Sequence, residues 1–421
     1  MFRSITLKNF RTHMDTRLEL GAVTLLIGPN NAGKSNLLAG IRHFSWLAAR
    51  GQPFRENTGS PEHKRLRSGD FFSHCHRLQP YSTPMVFSCL WTHEMGEANY
   101  QIELYEHREF EHDVGCRESI QISTGEPRKT REVQAGYDKP TDELSLRTKL
   151  ESAGLQDKEK RLTDRFFQDL AGCYAYHLQP SFLKGETKVE SPTVDPDRLR
   201  IASQLGYEGG NLQRILSLVQ KQEGERRTFN RFVAYLRRFE MSFHGVTYDT
   251  EQEKLLWLFD LGRVPARADE FPPAVVSDGL LRAAAIALLS SMGRPPALIL
   301  VEEIENGISQ KNVGHFLGWL RQAAGTKSST DRGYATQLIV TSHSPSVLRE
   351  FSDRLDDVYY VRLERRGYKS IVRDLNSSLS AFVDLGTVEG GYEERDGKRI
   401  VKISPERLIE LWYSGAIGGE A

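Results

Sequence analysis

The residues Gly28-Pro29-Asn30-Asn31-Ala32-Gly33-Lys34-Ser35 follow directly on the apolar run Val23-Thr24-Leu25-Leu26-Ile27. A helical pattern comes next, from Asn36 to Ala49, with Leu37, Leu38, Ile41 and Phe44 at helical spacing. The eight residues have the form G-x-x-x-x-G-K-[ST] at the end of a predicted strand and the start of a helix, the context in which this spacing makes a phosphate cradle. Backbone N–H groups of the turn and of the helix N-terminus face a β-phosphate there. The candidate nucleotide-binding residues are therefore Asn30, Asn31, Ala32, Gly33, Lys34, Ser35 and Asn36. Lys34 is expected to reach the β- and γ-phosphates and the Ser35 hydroxyl to ligate Mg²⁺. Few other folds are open to a chain with this feature: it predicts an α/β core that binds a nucleoside triphosphate.

At 421 residues the chain is long for one core, so two lobes, or a core with an insert, are expected. Its 56 basic and 56 acidic residues cancel, so no global field drives it onto nucleic acid. Cys75, Cys89, Cys116 and Cys173 show no C-x-x-C spacing, which argues against a zinc or redox motif and fits reduced thiols. Met1 to Leu7 alternates like a strand and lacks the apolar core of a signal peptide. No run approaches the ~20 apolar residues of a membrane span. The expectation is a soluble cytoplasmic protein with no membrane partner.

Three regions are expected along the chain. Residues 1–145 carry a first strand on Phe2, Ile5, Leu7 and Phe10, the phosphate loop, a loop over Gln52–Arg67 and an antiparallel β-meander over Met85–Ser123. The polar stretch Arg128–Asp142 reads as a flexible loop. Residues 146–245 read as a helical insert, with continuous helical character from Thr163 to Phe239 and an apolar stripe on Leu212, Ile215, Leu216, Leu218 and Val219. A β/α pattern returns in residues 246–421, with strands at Ala297–Val301, Gln337–Thr341 and Asp357–Val361. The insert splits one nucleotide-binding core.

Three further motifs carry chemistry. The run Ala297-Leu298-Ile299-Leu300-Val301 ends in Glu302 and Glu303. A buried strand ending in two carboxylates is the other half of a phosphate-loop site: Glu302 is expected in the Mg²⁺ shell and Glu303 as the base that activates water. The run Gln337-Leu338-Ile339-Val340-Thr341-Ser342 ends in His343, placed to contact a γ-phosphate or orient the water, although a strand-end histidine also serves structure. Ser277-Asp278-Gly279 precedes an apolar helix over Ala283–Ser290; it reads either as a second anion-binding nest or as an ordinary helix cap.

The order of phosphate loop, S-D-G-x-x-R, apolar strand with E-E-x-E-N-G, and T-S-H-S-P resembles the ABC-type ATPases of the RecF/SMC/OLD group. The likeness is nearest to the standalone AAA family ATPases of bacterial defence and repair operons. Lys8-Asn9-Phe10-Arg11, Leu205-Gly206-Tyr207-Glu208-Gly209-Gly210-Asn211-Leu212 and Leu411 to Gly419 resemble other segments of that group. The resemblance implies an ABC-ATPase-type P-loop nucleotide-binding domain of α/β class, with an antiparallel β subdomain and a helical insert, using ATP and Mg²⁺. It implies a homodimer, or a higher homo-oligomer, with two ATPs sandwiched head to tail. Ser277, Asp278 and Gly279 then cap the partner's nucleotide, and Glu305-Asn306-Gly307 crosses the interface. The activity implied is that of an ATPase sensor or scaffold in antiphage defence, controlling a separate effector protein; a RecF-like clamp on duplex DNA is the alternative. Three positions depart from the group's pattern: Glu302 where Asp is usual, Ile304 where Pro is common, and Ser309 where His is frequent. The first predicts slower or altered hydrolysis. The Q-loop glutamine has no firm counterpart; Gln79, beyond Phe71-Phe72-Ser73-His74-Cys75-His76, is a weak candidate.

Arg226, Arg227, Arg231, Arg237 and Arg238 share a helical segment with Phe229, Phe232, Val233, Leu236 and Phe239. The arginines read as a phosphate-tracking stripe or as a solvated face diluted by Glu223, Glu225 and Glu240. His74 and His76 flank Cys75, without further ligands for a metal. Asp374, Asp384 and Glu389 are too scattered to make a second, nuclease-type centre.

Overall fold

The computed structural model describes residues 1–48, 74–76, 79–80, 82–106, 114–125, 129–137, 145–185, 199, 201–249, 254–262, 268–293, 295–325, 336–364, 366–395 and 397–417. The chain divides into two compact units, one of residues 1–53, 62–173 and 339–421, the other of residues 54–61 and 174–338. The expected loop at Gln52–Arg67, and Phe71, Phe72 and Ser73 near the Q-loop candidate, lie outside the described residues.

The first unit opens with strands β1 (Phe2–Phe10), β2 (His13–Glu19) and β3 (Val23–Ile27), then helix α1 (Lys34–Ala48). Four strands follow, β4 (Met85–His93), β5 (Gly96–Glu106), β6 (Val114–Thr124) and β7 (Lys129–Tyr137), and two helices, α2 (Ser145–Ser152) and α3 (Asp157–Ala171). An antiparallel sheet runs in the order β2-β1-β4-β5-β6-β7. Its strands alternate buried and accessible residues, the pattern of a sheet wet on one face. The buried face meets α1 and α3 through an aromatic layer. Phe44 stacks on Phe87 and Tyr100 at ring distances of 5.8 and 5.7 Å, and Phe166 meets Trp91 edge-on at 5.7 Å. The Trp91 indole N–H donates to Asp169 at 3.1 Å, so the polar edge of this large ring is satisfied.

The strand β7 corrects the loop expected over Arg128–Asp142. Residues 129–137 pair with β6 along their full length, Cys116 opposite Tyr137 and Thr124 opposite Lys129. An edge strand needs only backbone pairing on one side, so the exposed Lys129, Thr130, Glu132 and Gln134 suit it and leave too weak an apolar alternation to detect.

The second unit begins with β8 (Cys173–Tyr176), then α4 (Pro180–Leu183), α5 (Ile201–Gln204), α6 (Leu212–Lys221) and α7 (Arg226–Phe239). A three-stranded sheet of β9 (Phe243–Asp249), β10 (Lys254–Phe259) and β11 (Asp269–Phe271) follows in the order β11-β10-β9. Helix α8 (Asp278–Ser291), strand β12 (Leu298–Val301) and helix α9 (Gln310–Gly325) complete it. Helix α8 is buried at every position from Leu280 to Ser291, which explains its lack of a polar stripe. Strand β8 interrupts the expected helical block. Its four residues, all buried, are too few to show a period, and it neighbours β12, whose continuation at Glu302 donates its N–H to Tyr176 O at 2.9 Å.

The chain returns to the first unit within β13 (Gln337–Ser342), followed by α10 (Pro345–Arg349), β14 (Val358–Glu364), β15 (Lys369–Asp374), α11 (Leu375–Asp384), β16 (Gly391–Arg395), β17 (Lys398–Lys402) and α12 (Pro405–Tyr413). In that unit β3 lies between β14, which pairs with it in parallel, and β13. Both β3 and β13 are buried throughout, as sheet strands covered on two faces must be. Among the described residues no helix is long and apolar enough to cross a membrane.

Candidate functional site

In the first unit, β3 delivers the chain into Gly28–Ser35 and α1 begins at Lys34. Two left-handed residues shape the turn, Asn31 at φ 63° and Gly33 at φ 105°. A Cβ on Gly33 would sit 2.0 Å from Ser370 Oγ, so glycine is required by contact as well as by conformation. The buried Lys34 ammonium lies over the loop, donating to Gly28 O at 2.6 Å and Pro29 O at 2.8 Å. Ser35 and Asn30 are exposed at the mouth of the same turn. A left-handed turn, a helix N-terminus and an ammonium together form a concave set of donors suited to a polyanion.

The loop is clasped from outside by residues that the motif does not contain. The buried His13 ring places Nε2 3.0 Å from Gly33 O and Nδ1 2.9 Å from Thr16 Oγ1. A carbonyl only accepts, so Nε2 carries the proton and Nδ1 accepts from the Thr16 hydroxyl. Burial drives the His13 pKa down to about 4, against the raising effect of the Gly33 bond, so the ring is neutral at neutral pH. Ser370, at the start of β15, donates to Ala32 O at 2.7 Å and has its Oγ 2.7 Å from Thr12 Oγ1. Its backbone N–H donates to Thr12 O at 2.7 Å. Asn36 joins the group by donating to Thr12 Oγ1 at 3.1 Å and accepting from Arg11 at 3.3 Å. The β1–β2 turn that presents Thr12 is itself bent through two left-handed residues, Asn9 at φ 54° and Arg11 at φ 50°. His343 follows β13 and is exposed, and Ser344 beyond it caps α10 by accepting from Ser346 N–H.

The carboxylates belong to the second unit. Buried β12 ends in Glu302, itself buried, whose Oε1 accepts from the Tyr207 hydroxyl at 2.6 Å. His177 Nδ1 stands 3.7 Å from Glu302 Oε2. The neighbouring Glu302 carboxylate raises the His177 pKa above its ordinary value, outweighing the burial that lowers it. Glu303 adopts φ 47°, and its Oε2 accepts from the Asn306 side chain at 2.9 Å. Left-handed backbone at a residue with a long side chain is strained, and here it turns Glu303 out of the line of the strand.

Ser277 caps α8, accepting from Leu280 N–H at 3.3 Å, so the cap reading of this residue is realised. Asp278 pairs with Lys184 at 2.8 Å. Gly279 packs so closely on Gly307 that a Cβ there would lie 2.6 Å from its carbonyl oxygen. Arg282, 5% exposed, fastens the two motifs: Nε and Nη2 donate to Leu178 O, the former at 2.7 Å, and Nη1 donates to Asn306 O. The structure thus brings Ser277–Gly279 and Glu303–Gly307 together within one unit, while Lys34, Ser35 and His343 belong to the other. His13, Thr12, Ser370, Tyr207 and the guanidinium of Arg282 were not assigned roles from sequence. Arg282 carried a signal as the final letter of S-D-G-x-x-R, and Tyr207 lay within the Leu205–Leu212 segment singled out by resemblance.

The hard oxygen donors Ser35 and Glu302 are the kind that a magnesium ion takes, and the Tyr207 hydroxyl beside Glu302 is the kind of outer partner such a carboxylate has. Among the described residues no cluster of three or more His, Cys, Asp or Glu could hold a metal alone.

Two family models match the sequence. One, described as "AAA ATPase domain", covers residues 1–64; the other, described as "AAA domain, putative AbiEii toxin, Type IV TA system", covers residues 262–349. Among curated proteins none matches. Solved structures similar to the chain include the SMC head domain from Thermotoga maritima, at 16% identity and TM-score 0.45, covering 89% of this chain and 98% of that one. Another is the Smc head domain with an extended coiled coil bound to the C-terminal domain of ScpA, from Pyrococcus furiosus, at 12% identity and TM-score 0.44, covering 91% and 99%.

Proposed function

We propose that the chain is an ABC-type ATPase of the RecF/SMC-like group, two copies of which close head to tail around two ATP molecules to form an assembly that hydrolysis releases. Asn30 to Asn36 hold the triphosphate through backbone N–H groups and the Lys34 ammonium. Ser35 of the first unit and Glu302 of the second are the oxygen donors that would serve a Mg²⁺ ion, which when bound would neutralise phosphate charge. Glu303 takes the proton of the attacking water at its carboxylate, and His343 steadies the γ-phosphate end. Ser277, Asp278 and Gly279 cap the nucleotide of the partner subunit. The observation that carries this reading is the Arg282 clamp: it makes the capping loop and the Glu303 segment one body, so a group touching one nucleotide is fixed to the base that serves another.

Such an assembly suits a sensor or scaffold that holds a separate effector protein, in the manner of a toxin–antitoxin or antiphage system; the toxin named in the description of the matched AAA domain supports this setting. A clamp on duplex DNA is the second reading. It is favoured by exposed Arg226, Arg227, Arg231 and Arg238 along α7, whose Phe232, Tyr235 and Leu236 are buried. One experiment tests the switch and separates the readings: the mass of Glu303→Gln in solution, with and without ATP, and with duplex DNA added. We expect ATP to double the mass. An unchanged mass would sink the sandwich, and a doubling that requires DNA would favour the clamp.

A further inference from the structure

The segment Leu205–Leu212 stood out in the sequence, and through Tyr207 it reaches the Glu302 carboxylate. Its backbone runs beside the continuation of β8: His177 N–H donates to Tyr207 O at 2.9 Å and Gln179 N–H to Glu208 O at 3.2 Å. The loop closes on itself, with Gly206 N–H donating to Asn211 Oδ1 at 2.9 Å and the Asn211 amide returning a bond to Gln204 O. Gly209 N–H donates to Gly206 O at 2.9 Å, and Leu212 N–H to Gly209 O at 3.0 Å, where α6 begins. Gly206, Gly209, Asn211 and Leu212 are buried. So much internal bonding in eight residues fixes one side chain in space: Tyr207, half-buried, its ring stacked on His177 at 6.1 Å. Its hydroxyl ends 2.6 Å from Glu302 Oε1, a short bond of the kind made to a charged acceptor.

We propose that Tyr207 is a positioning residue for Glu302 and that the loop Leu205–Leu212 exists to present it. Glu302 has one methylene more than the usual aspartate, and with it more rotamers to lose. The Tyr207 hydroxyl takes Oε1 while His177 Nδ1 stands 3.7 Å from Oε2, and the hydroxyl holds the carboxylate in a single orientation for the metal shell it is proposed to serve. The extra length of Glu302 is therefore matched by a partner instead of being a defect. Partners of this kind alter metal affinity about 10- to 100-fold when removed. The loop also runs directly into α6, so displacement of the helices α6 and α7 would be felt at Glu302.

This inference rests on Glu302 being a metal-shell residue, and the experiment separates the two claims. Mn²⁺ is titrated against the full-length chain in the presence of a non-hydrolysable ATP analogue, and free Mn²⁺ is read by electron paramagnetic resonance. Tyr207→Phe, which removes one oxygen atom, is expected to weaken Mn²⁺ binding about tenfold. Its binding of the analogue without metal should stay at the wild-type value. Glu302→Asp, which leaves the loop intact but withdraws the carboxylate from Tyr207, is expected to weaken Mn²⁺ similarly. The double variant should lose no more than either single one, because both break the same contact. Unchanged Mn²⁺ affinity in Tyr207→Phe, with clear weakening in Glu302→Gln, overturns the positioning role. Unchanged affinity in Glu302→Gln overturns instead the assignment of Glu302 to the metal.

Discussion

The phosphate loop and the carboxylate strand end are built to similar plans and fastened by opposite means. Each follows a fully buried strand, Val23–Ile27 or Leu298–Val301, and each turns through a left-handed residue, Asn31 or Glu303. Apart from its own Lys34 ammonium on Gly28 and Pro29 O, Gly28–Ser35 is held from outside by neutral groups of elements far apart in sequence: His13 on Gly33, Ser370 on Ala32, Thr12 between Ser370 and Asn36. Glu302–Gly307 is held largely by charge, through Arg282 to Asn306 and Tyr207 to the Glu302 carboxylate. Neutral hydrogen bonds contribute about 1 kcal/mol each and share their load. A buried guanidinium serving three bonds cannot be replaced by its neighbours, and its loss leaves carbonyls without donors.

The largest effect therefore belongs to Arg282. Arg282→Ala should destabilise the second unit by about 3 kcal/mol, and Arg282→Lys by less, since an ammonium keeps the charge but cannot span both carbonyls. Hydrogen exchange resolved by segment should show protection lost at Ser277–Ser291 and Glu302–Ile308. Equal loss at Val23–Lys34 would break the contrast between the two regions.

The clasp on the phosphate loop should instead reveal itself through pH. His13 has a folded pKa of about 4 and an unfolded value of about 6.5, so the fold holds the neutral ring. Above pH 6.5 both states are neutral and the residue adds no pH dependence. As pH falls below that, the unfolded chain takes up the proton first, and stability drops by about 1.4 kcal/mol per unit, about 3 kcal/mol in all by pH 4. His13→Gln keeps an N–H for Gly33 O but cannot titrate. The difference in unfolding free energy between wild type and this variant should fall with that slope from pH 6.5 to 4.5. A pH-independent difference would remove His13 from the clasp.

What the sequence made legible follows the range of the forces involved. The phosphate loop, Glu302–Glu303 and His343 could be located because each ends a short apolar strand, and local period and composition suffice for that. Strand β7 escaped because its edge pairing needs no apolar alternation, and β8 because four residues have no period. Ser277 could be narrowed to cap or nest from its place before α8, and the cap is present. The fastenings were out of reach. Ser370 meets Ala32 across 338 residues of chain, Tyr207 meets Glu302 across 95, and Arg282 meets Leu178 across 104. Each is an ordinary polar residue whose meaning comes from the topology that brings it home.

The smallest effect is the one that tests whether the clasp shares its load. Ser370→Ala removes the hydroxyl that donates to Ala32 O and leaves the backbone bond from residue 370 to Thr12 O, the His13 bond to Gly33 and the Asn36 bond to Thr12 in place. One neutral bond lost among several should cost about 1 kcal/mol. If the loosened loop must be re-ordered on binding, nucleotide affinity falls by about fivefold, the same free energy expressed as a dissociation constant. A fluorescent ATP analogue titrated without Mg²⁺ reads this directly, with Glu302 and Tyr207 left out of the balance. A loss near a hundredfold would mean that Ser370 is to the phosphate loop what Arg282 is to the carboxylates, a single fastening on which the geometry depends. A fivefold loss, added to an independent loss in His13→Gln, would show a loop held by many small bonds, free to flex around the phosphates while Glu303 stays fixed.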